Sequence, residues 1–388
     1  MIPEGWQMYQ LSDVFQLSSG ESKPEDIVKT YECSYPYPIY GGNGILGYSR
    51  HYNIDGNNII IGRVGEYCGV TRLITGKKWI TDNALYTKSI KLEIDPQFLL
   101  FLLVKSNLSK LRNKGGQPLI SQKPIYHTEL VFPPLAEQKR IAEILSTWDK
   151  AILATEKLIA NSELLKKGLM QQLLTGKKRL KDDNGFCFNE NWQLNTFKET
   201  FDLRIGGTPS RSNLAYWDTE KVTNNRWLTI ANLQYPKIYD TTEYISDLGV
   251  TKSNATLIPA GTLVMSFKLT IGKIALLMQD CYTNEAICAL IIKDRNLTNW
   301  QYVYYALQIV DFNSEIDQAV KGKTLNKAKI NRLNLWLPPI EEQQAIADVL
   351  SNMDKNIENL QAKASALRQE KAALMQQLLT GKRRVNIV

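Results

Sequence analysis

Residues 133–180 read PPLAEQKRIAEILSTWDKAILATEKLIANSELLKKGLMQQLLTGKKRL, and residues 338–385 read PPIEEQQAIADVLSNMDKNIENLQAKASALRQEKAALMQQLLTGKRRV. The two stretches run in gapless register 205 residues apart, from their starts (133 and 338) to their ends (180 and 385). Identities concentrate at both ends, as PP, EQ, IA, LS and DK early and as LMQQLLTGK late. A repeat at fixed offset marks a duplicated architecture, here globule, arm, globule, arm.

Each arm carries the spacing of a helix. In the first copy Ile141, Leu145, Trp148, Ile152, Thr155, Ile159, Ser162, Lys166, Leu169 and Leu173 alternate in steps of four and three. In the second copy Ile346, Leu350, Met353, Ile357, Leu360, Ala364, Leu367, Lys371, Leu374 and Leu378 occupy the same positions. That period predicts helices packed lengthwise along a heptad seam. Pro134 suits a first helical turn, where its missing N–H costs nothing, and Glu137 lies at the positive end of the helix dipole. At the other end, Gly176 and Gly381 offer the left-handed residue that closes a helix, and the basic residues after them face its negative end. About 40 residues at about 1.5 Å each give a rod of roughly 60 Å. An isolated rod would leave its seam bare, so the other arm, packed antiparallel, is the expected partner, with the globules at opposite ends about an approximate two-fold axis.

The expected fold class is therefore α+β: two similar α+β domains separated by two long antiparallel α-helices that form a coiled-coil spacer. The boundaries are 1–132, 133–181, 182–337 and 338–388, with a polar linker at Lys181–Gly185 leading into the third segment, where cleavage or insertion should be tolerated. In the first globule Asn57–Ile61, Gly69–Ile74 and Ser89–Ile94 are expected as strands, and Phe98–Leu111 as a buried helix. The second globule is a degenerate relative of the first. Glu4-Gly5-Trp6-Gln7 is echoed by Glu190-Asn191-Trp192-Gln193, and Thr81-Asp82-Asn83-Ala84-Leu85 by Thr283-Asn284-Glu285-Ala286-Ile287, with extra residues around Thr208 to Tyr239.

The chain has 388 residues, room for two or three domains of about 100–200 residues each. Its net charge of +8 suits an acidic partner without demanding one. Five scattered cysteines with no C-x-x-C pair fit a reducing compartment, and no apolar run is long enough to span a membrane, so a cytoplasmic protein is expected. Local charge is more informative. No acid interrupts Lys105 to Lys123 or Lys321 to Arg332, so each globule carries a basic, glycine-containing loop before its double proline: LRNKGGQPLISQK and VKGKTLNKAKINR. Glycine lets a backbone approach phosphate, lysine neutralises it, and amides or hydroxyls reach base edges.

Several catalytic patterns fail. Gly42-Asn43-Gly44-Ile45-Leu46-Gly47 matches G-x-G-x-x-G as letters, but turn-like and β-like sequence follows it instead of a helix. Gly322-Lys323-Thr324 lacks the upstream glycine of a phosphate-binding loop, the position being Asp317. Asn-Pro-Pro-aromatic is absent, the two histidines form no metal-ligand spacing, and the Glu-x-Lys matches at Glu21 and Glu137 have no convincing upstream Pro-Asp.

The doubled PP-x-x-EQ arms, the LLTGK ends, Gly206-Gly207-Thr208-Pro209-Ser210 with Tyr216-Trp217, Trp227-Leu228-Thr229-Ile230-Ala231-Asn232 and Tyr40-Gly41-Gly42-Asn43-Gly44 together resemble the specificity subunit of type I restriction-modification systems. The resemblance spans essentially the whole chain; the first globule departs from the second, lacking the GGTPS and YW pattern. It implies a non-catalytic subunit whose two target-recognition domains each read one half of a split double-stranded DNA sequence, spaced by the arms. It also implies two methylation subunits and restriction (motor-nuclease) subunits as partners. No cofactor is expected in this chain; S-adenosylmethionine, ATP and Mg would belong to those partners. A coiled-coil adaptor with two protein-binding globules is the competing reading, and a one-chain catalytic enzyme is disfavoured by the missing strips.

The DNA contacts expected are Gly41, Gly42, Asn43, Gly44, Lys114, Gln117, Gln122 and Lys123 in the first domain. In the second they are Thr208, Ser210, Arg211, Lys268, Lys321, Lys323, Thr324, Asn326 and Lys327. Thr155, Ser162 and Lys166 are poor choices for an isolated two-helix seam, whereas Ile144, Leu158, Leu165, Met170 and Leu174 lie off it. Those five are expected to form a second apolar face for helices of the methylation subunits. If the arms set the spacing, inserting one helical turn after Leu164 should change the number of unspecified base pairs in the methylated site and leave both halves intact; mapping methylated adenines checks it.

Overall fold

The protein is described by a computed structural model covering residues 2–113, 115–182, 184–312 and 325–386. Both arms are single 39-residue helices, Leu135–Leu173 and Ile340–Leu378, and each starts directly after its double proline. Gly176 and Gly381 take φ of 68° past the helix ends, the left-handed conformation that glycine adopts without a Cβ penalty. All ten expected seam positions on each arm are buried or half-buried.

The chain divides into two compact units, one of residues 1–158 with 360–388 and one of residues 159–359. Each unit thus holds one globule, the head of the arm that follows it and the tail of the other arm. In the first unit Lys371 pairs with Asp149 and Arg368 with Glu156, both at 2.5 Å. As one residue number rises the other falls, so the helix segments are antiparallel. In the second unit Lys166 pairs with Asp354 at 2.5 Å, and Tyr305 Oη donates to the same carboxylate. The seam lysines are satisfied by acids on the facing helix, and Thr155 Oγ1 donates back to Ala151 O. Polar seam positions therefore do not require a third helix.

The globules repeat one plan. In the first unit a four-stranded sheet runs in the order Phe15–Ser19, Ala84–Ile90, Asn58–Gly62, Thr71–Ile74, beside a three-stranded sheet of Gly44–Ser49, Tyr37–Gly41 and Trp79–Ile80. In the second, Phe201–Ile205, Ile287–Ile292, Leu263–Ser266 and Ile274–Leu277 take the same order, extended by Lys237–Ile238 and accompanied by a four-stranded sheet. The central strand is buried on both faces. Ile59 and Ile61 face the helical core, while Ile60 meets Ile74, Ile80 and Ala84 on the other side. Leu263 and Met265 against Val264 repeat the alternation that a two-residue period imposes.

Two sequence expectations shift. The strand placed at Ser89–Ile94 lies at Ala84–Ile90, because pairing of Ile61 with Leu85 and of Phe15 with Ile90 sets its limits. The helix expected through Leu111 ends at Ser106. Asn107, at φ 53°, breaks it, and Leu108–Leu111 continues as a 3-10 turn.

The helix ends are locked by two matching clasps. Glu137, buried in the first turn of its arm, receives Arg384 Nε and Nη2, both at 2.8 Å, and Trp6 Nε1 at 3.1 Å. Glu342, equally buried, receives Arg179 Nε at 2.6 Å, Arg179 Nη2 at 2.7 Å and Trp192 Nε1 at 2.9 Å. The following glutamines repeat as well. Gln138 accepts from Asp95 N and donates to Pro133 O, while Gln343 accepts from Asn299 N and donates to Leu297 O and Pro338 O. Around each clasp, paired apolar residues enter a globule core: Ile141, Ala142, Leu145, Leu378 and Leu379 in the first unit, and Ile346, Ala347, Leu350, Leu173 and Leu174 in the second.

That packing corrects the apolar face expected off the seam. Leu174 is 2 % exposed inside the second unit's core, and Ile144 and Met170 are half-buried against the cores. The helix ends are sunk into the globules, which the heptad period alone does not reveal. Leu158 and Leu165 are exposed, together with Leu153 and Leu164.

Arg179→Met leaves the Glu342 carboxylate buried without its cation and should destabilise the second unit by about 3–5 kcal/mol. Adding Glu342→Met should restore most of the loss. Denaturant unfolding of the two variants checks this, and an unchanged midpoint for Arg179→Met would remove the clasp as a stabilising element.

Candidate nucleic-acid interface

In the first unit the loops at the ends of the central strands are fastened to one another. Tyr37–Gly41 and Gly44–Ser49 pair as a hairpin with Gly41 opposite Gly44, so the glycine-rich stretch is a hairpin tip and opens no helix. Arg72 grips that tip, donating from Nη1 to Gly42 O at 3.0 Å and from Nη2 to Asn43 O at 3.4 Å. Beside it, Arg63 N donates to Asn83 O, and Arg63 Nη1 donates to Ser19 Oγ at 3.1 Å and to Asp82 O at 3.4 Å. Arg63 O accepts Ile120 N, and Gly65 N donates to Pro118 O. Gly62 permits this crowding, since a Cβ there would lie 2.2 Å from Tyr67 O.

The two first-domain loops singled out in the sequence therefore meet. Gly41–Gly44 and the stretch carrying Gln117, Gln122 and Lys123 both pack on the Gly62–Gly65 turn. Gln117 and Lys123 are exposed and Gln122 is half-buried. Gln122 and Lys123 open the short helix Gln122–Tyr126, whose Tyr126 hydroxyl accepts Leu17 N at 2.7 Å. Lys114 lies outside the described residues. Arg63 and Arg72 escaped the sequence reading, although the 205-residue offset that relates the arms leads from Lys268 to Arg63.

In the second unit the Gly206–Ser210 loop presses against neighbouring backbone. A Cβ on Gly206 would sit 1.8 Å from Thr283 O, and one on Gly207 would sit 2.7 Å from Asn254 C and O. Two indoles hold the loop: Trp227 Nε1 donates to Gly207 O and Trp217 Nε1 to Ser210 O, both at 3.1 Å. The two rings meet edge to face, 4.9 Å apart. Thr208 Oγ1 donates to Glu285, and that bond, with the nearby charges of Lys268 and Arg211, holds the Glu285 carboxyl below the usual carboxylate range.

Lys268 is half-buried, and Leu325 N donates to Phe267 O at 3.1 Å, which brings Asn326 and Lys327 beside that strand end. Asn326 caps the helix Lys327–Arg332 by accepting Lys329 N at 2.9 Å. Thr208, Lys268, Asn326 and Lys327 thus gather at one end of the sheet. Ser210 pairs with Ser212, and Arg211 leans toward Glu243. Lys321, Lys323 and Thr324 lie outside the described residues.

The profile of a family described as "Type I restriction modification DNA specificity domain" matches residues 3–164 and again residues 189–369. The chain belongs to that family. Among its relatives, the type I restriction enzyme MjaVIII specificity subunit of Methanocaldococcus jannaschii is 25% identical, over 99% of this chain and 94% of its own. The EcoprrI specificity subunit of Escherichia coli is 30% identical over 36% of this chain and 35% of its own. The fold is shared with the S subunit of the type I restriction-modification system from M. genitalium, at a TM-score of 0.63 and 15% identity over 99% of this chain and 97% of that one. A chain from a structural study of type I restriction-modification complex assembly matches at a TM-score of 0.62 and 16% identity, covering 99% of this chain and 100% of that one. Members of this family are DNA-specificity components. Among the described residues no helix is long and apolar enough to cross a membrane.

Gly206→Ala drives a methyl group into the Thr283 backbone and should destabilise the second unit by about 1–3 kcal/mol, as overpacking of a tight site does. Gly44 has open space around its Cα, so an alanine methyl there meets no neighbour, but φ of 115° is a backbone conformation that L side chains rarely adopt and its cost is conformational strain. Thermal unfolding of the two variants separates packing from conformation.

Proposed function

We propose that this chain is the DNA-reading subunit of a type I restriction-modification complex and recognises a split target, one half-site per unit. The observation that carries the reading is the repetition of one loop cluster. In each unit a cation at the end of the central strand, Arg63 or Lys268, stands beside the Thr81–Asn83 or Thr283–Glu285 turn. A backbone bond then draws in the basic loop that precedes the double proline. Two similar but non-identical readers in one chain suit two unlike half-sites.

Exposed Gln117, Lys123, Asn326 and Lys327 supply donors for phosphates and base edges, with Gly41–Gly44 close enough to follow a backbone. Methylation subunits would dock on the arms and restriction subunits on the resulting complex, with S-adenosylmethionine, ATP and Mg bound by those partners. Exposed Leu153 and Leu158 in the first unit, and separately exposed Leu164 and Leu165 in the second, each favour the first arm for docking. Their counterparts 205 residues on are Glu358, Lys363, Gln369 and Glu370, so the second arm presents a polar surface instead.

Co-expression with methylation subunits followed by genome-wide mapping of methylated adenine tests the reading. A split motif is expected, one half changing when residues 1–132 are exchanged and the other when residues 190–337 are. A continuous motif, or two halves that change together, rejects the two-reader arrangement.

A further inference from the structure

Arg211 stands out among the cations of the second unit because its guanidinium is already engaged on several sides. Its Cζ lies 3.8 Å from the Trp217 ring centroid and 4.8 Å from that of Trp227. Both terminal nitrogens bind Glu243, with Nη2 donating to Oε2 at 3.1 Å. Those same indoles donate to Gly207 O and Ser210 O, the carbonyls that bracket Thr208 and Pro209. Arginine is thereby packed between the two rings and the carboxylate that shape the loop.

Electrostatics oppose a phosphate contact at this point. Arg211 already faces the carboxylates of Glu243 and Glu285, and Lys268 faces that of Glu285. A phosphate that drew Arg211 away would be left facing Glu243 and would also sacrifice the stacking of the guanidinium, on a side chain half exposed to solvent, against the two indoles.

We infer that Arg211 is a positioning residue: with Glu243 it clamps Trp217 and Trp227 so that the Gly206–Ser210 loop is presented to the second half-site, and it does not bind DNA phosphate. This rests on the DNA-reading function and replaces the direct contact that the sequence suggested for Arg211. The first unit offers a parallel, since Arg72 is likewise engaged in holding a candidate loop, there through the Gly42 and Asn43 carbonyls.

The test uses the complex reconstituted with methylation subunits and two probes, a duplex bearing the methylation-mapped target and a random-sequence duplex of equal length. Affinities are measured across a salt series for Arg211→Lys, Arg211→Met and Glu243→Gln. A positioning role predicts that all three lose discrimination between target and random duplex by roughly tenfold or more, and that the affinity for random duplex and its salt slope stay at the wild-type values. It further predicts that relaxed sequence preference is confined to the second half-site. A phosphate contact predicts a different pattern: Arg211→Met weakens both duplexes alike and lowers the salt slope by about one, Arg211→Lys behaves as wild type, and Glu243→Gln tightens binding by freeing the arginine. Either that pattern or unchanged discrimination in all three variants overturns the assignment. If the wild-type complex itself shows neither a mapped target nor salt-dependent DNA binding, the DNA-reading function fails instead.

Discussion

A buried carboxylate in the first turn of each long helix holds this structure together. Glu137 and Glu342 are removed from water, and a carboxylate so placed is tolerable only when cations and hydrogen-bond donors surround it. Each is met by an arginine from the tail of the other arm and by an indole N–H from the start of the adjacent globule. One requirement therefore joins three segments that are distant in sequence. It accounts for the recurring letters too: the double proline starts the helix, the glutamate is the anion, and the glutamine ties the turn to the globule. Threonine-glycine ends the opposite helix, and the arginine three residues after the glycine reaches back to the carboxylate.

The arms were legible because a heptad period is a local property, and every expected seam position is at least half-buried. The role of Glu137 was not, beyond its favourable place near a helix dipole, because its ion-pair partner Arg384 lies 247 residues away. Leu174 illustrates the opposite failure. It lies off the seam and looked like part of a docking face, yet the helix end that carries it is sunk into the globule core. Lys166 sits on the seam and seemed unsuited to it; Asp354 on the facing helix supplies the missing charge. Strand limits moved for the same reason, since pairing partners and not composition determine where Ala84–Ile90 begins and ends.

The arrangement of the candidate loops was partly legible. The glycines, lysines and amides drew attention to stretches that the structure sets side by side in the first unit, where the Gly41–Gly44 tip and the Pro118–Ile120 stretch pack on one turn. What letters could not show is how much of each loop is internal scaffolding. Arg72, Trp217 and Trp227 all direct polar hydrogens at loop carbonyls, so they shape the surface before any ligand arrives. Preorganisation of this kind reduces the ordering cost of recognition, which otherwise subtracts from affinity. In the second unit the acids Glu285 and Glu243 lie among the described cations.

The distribution of the arm ends between the units also bears on how the chain acquires its structure during synthesis. Residues 159–359 form the second unit without interruption, so everything its core and clasp require is contiguous in the nascent polypeptide. The first unit is discontinuous: Leu378, Leu379 and Arg384 complete its core and its clasp. A ribosome delivers the first globule earliest, but that globule stays unfinished, with Glu137 lacking its cation, until the polypeptide has been extended past residue 384. Vectorial synthesis thus reverses the usual order, and the domain that is translated second can be completed first.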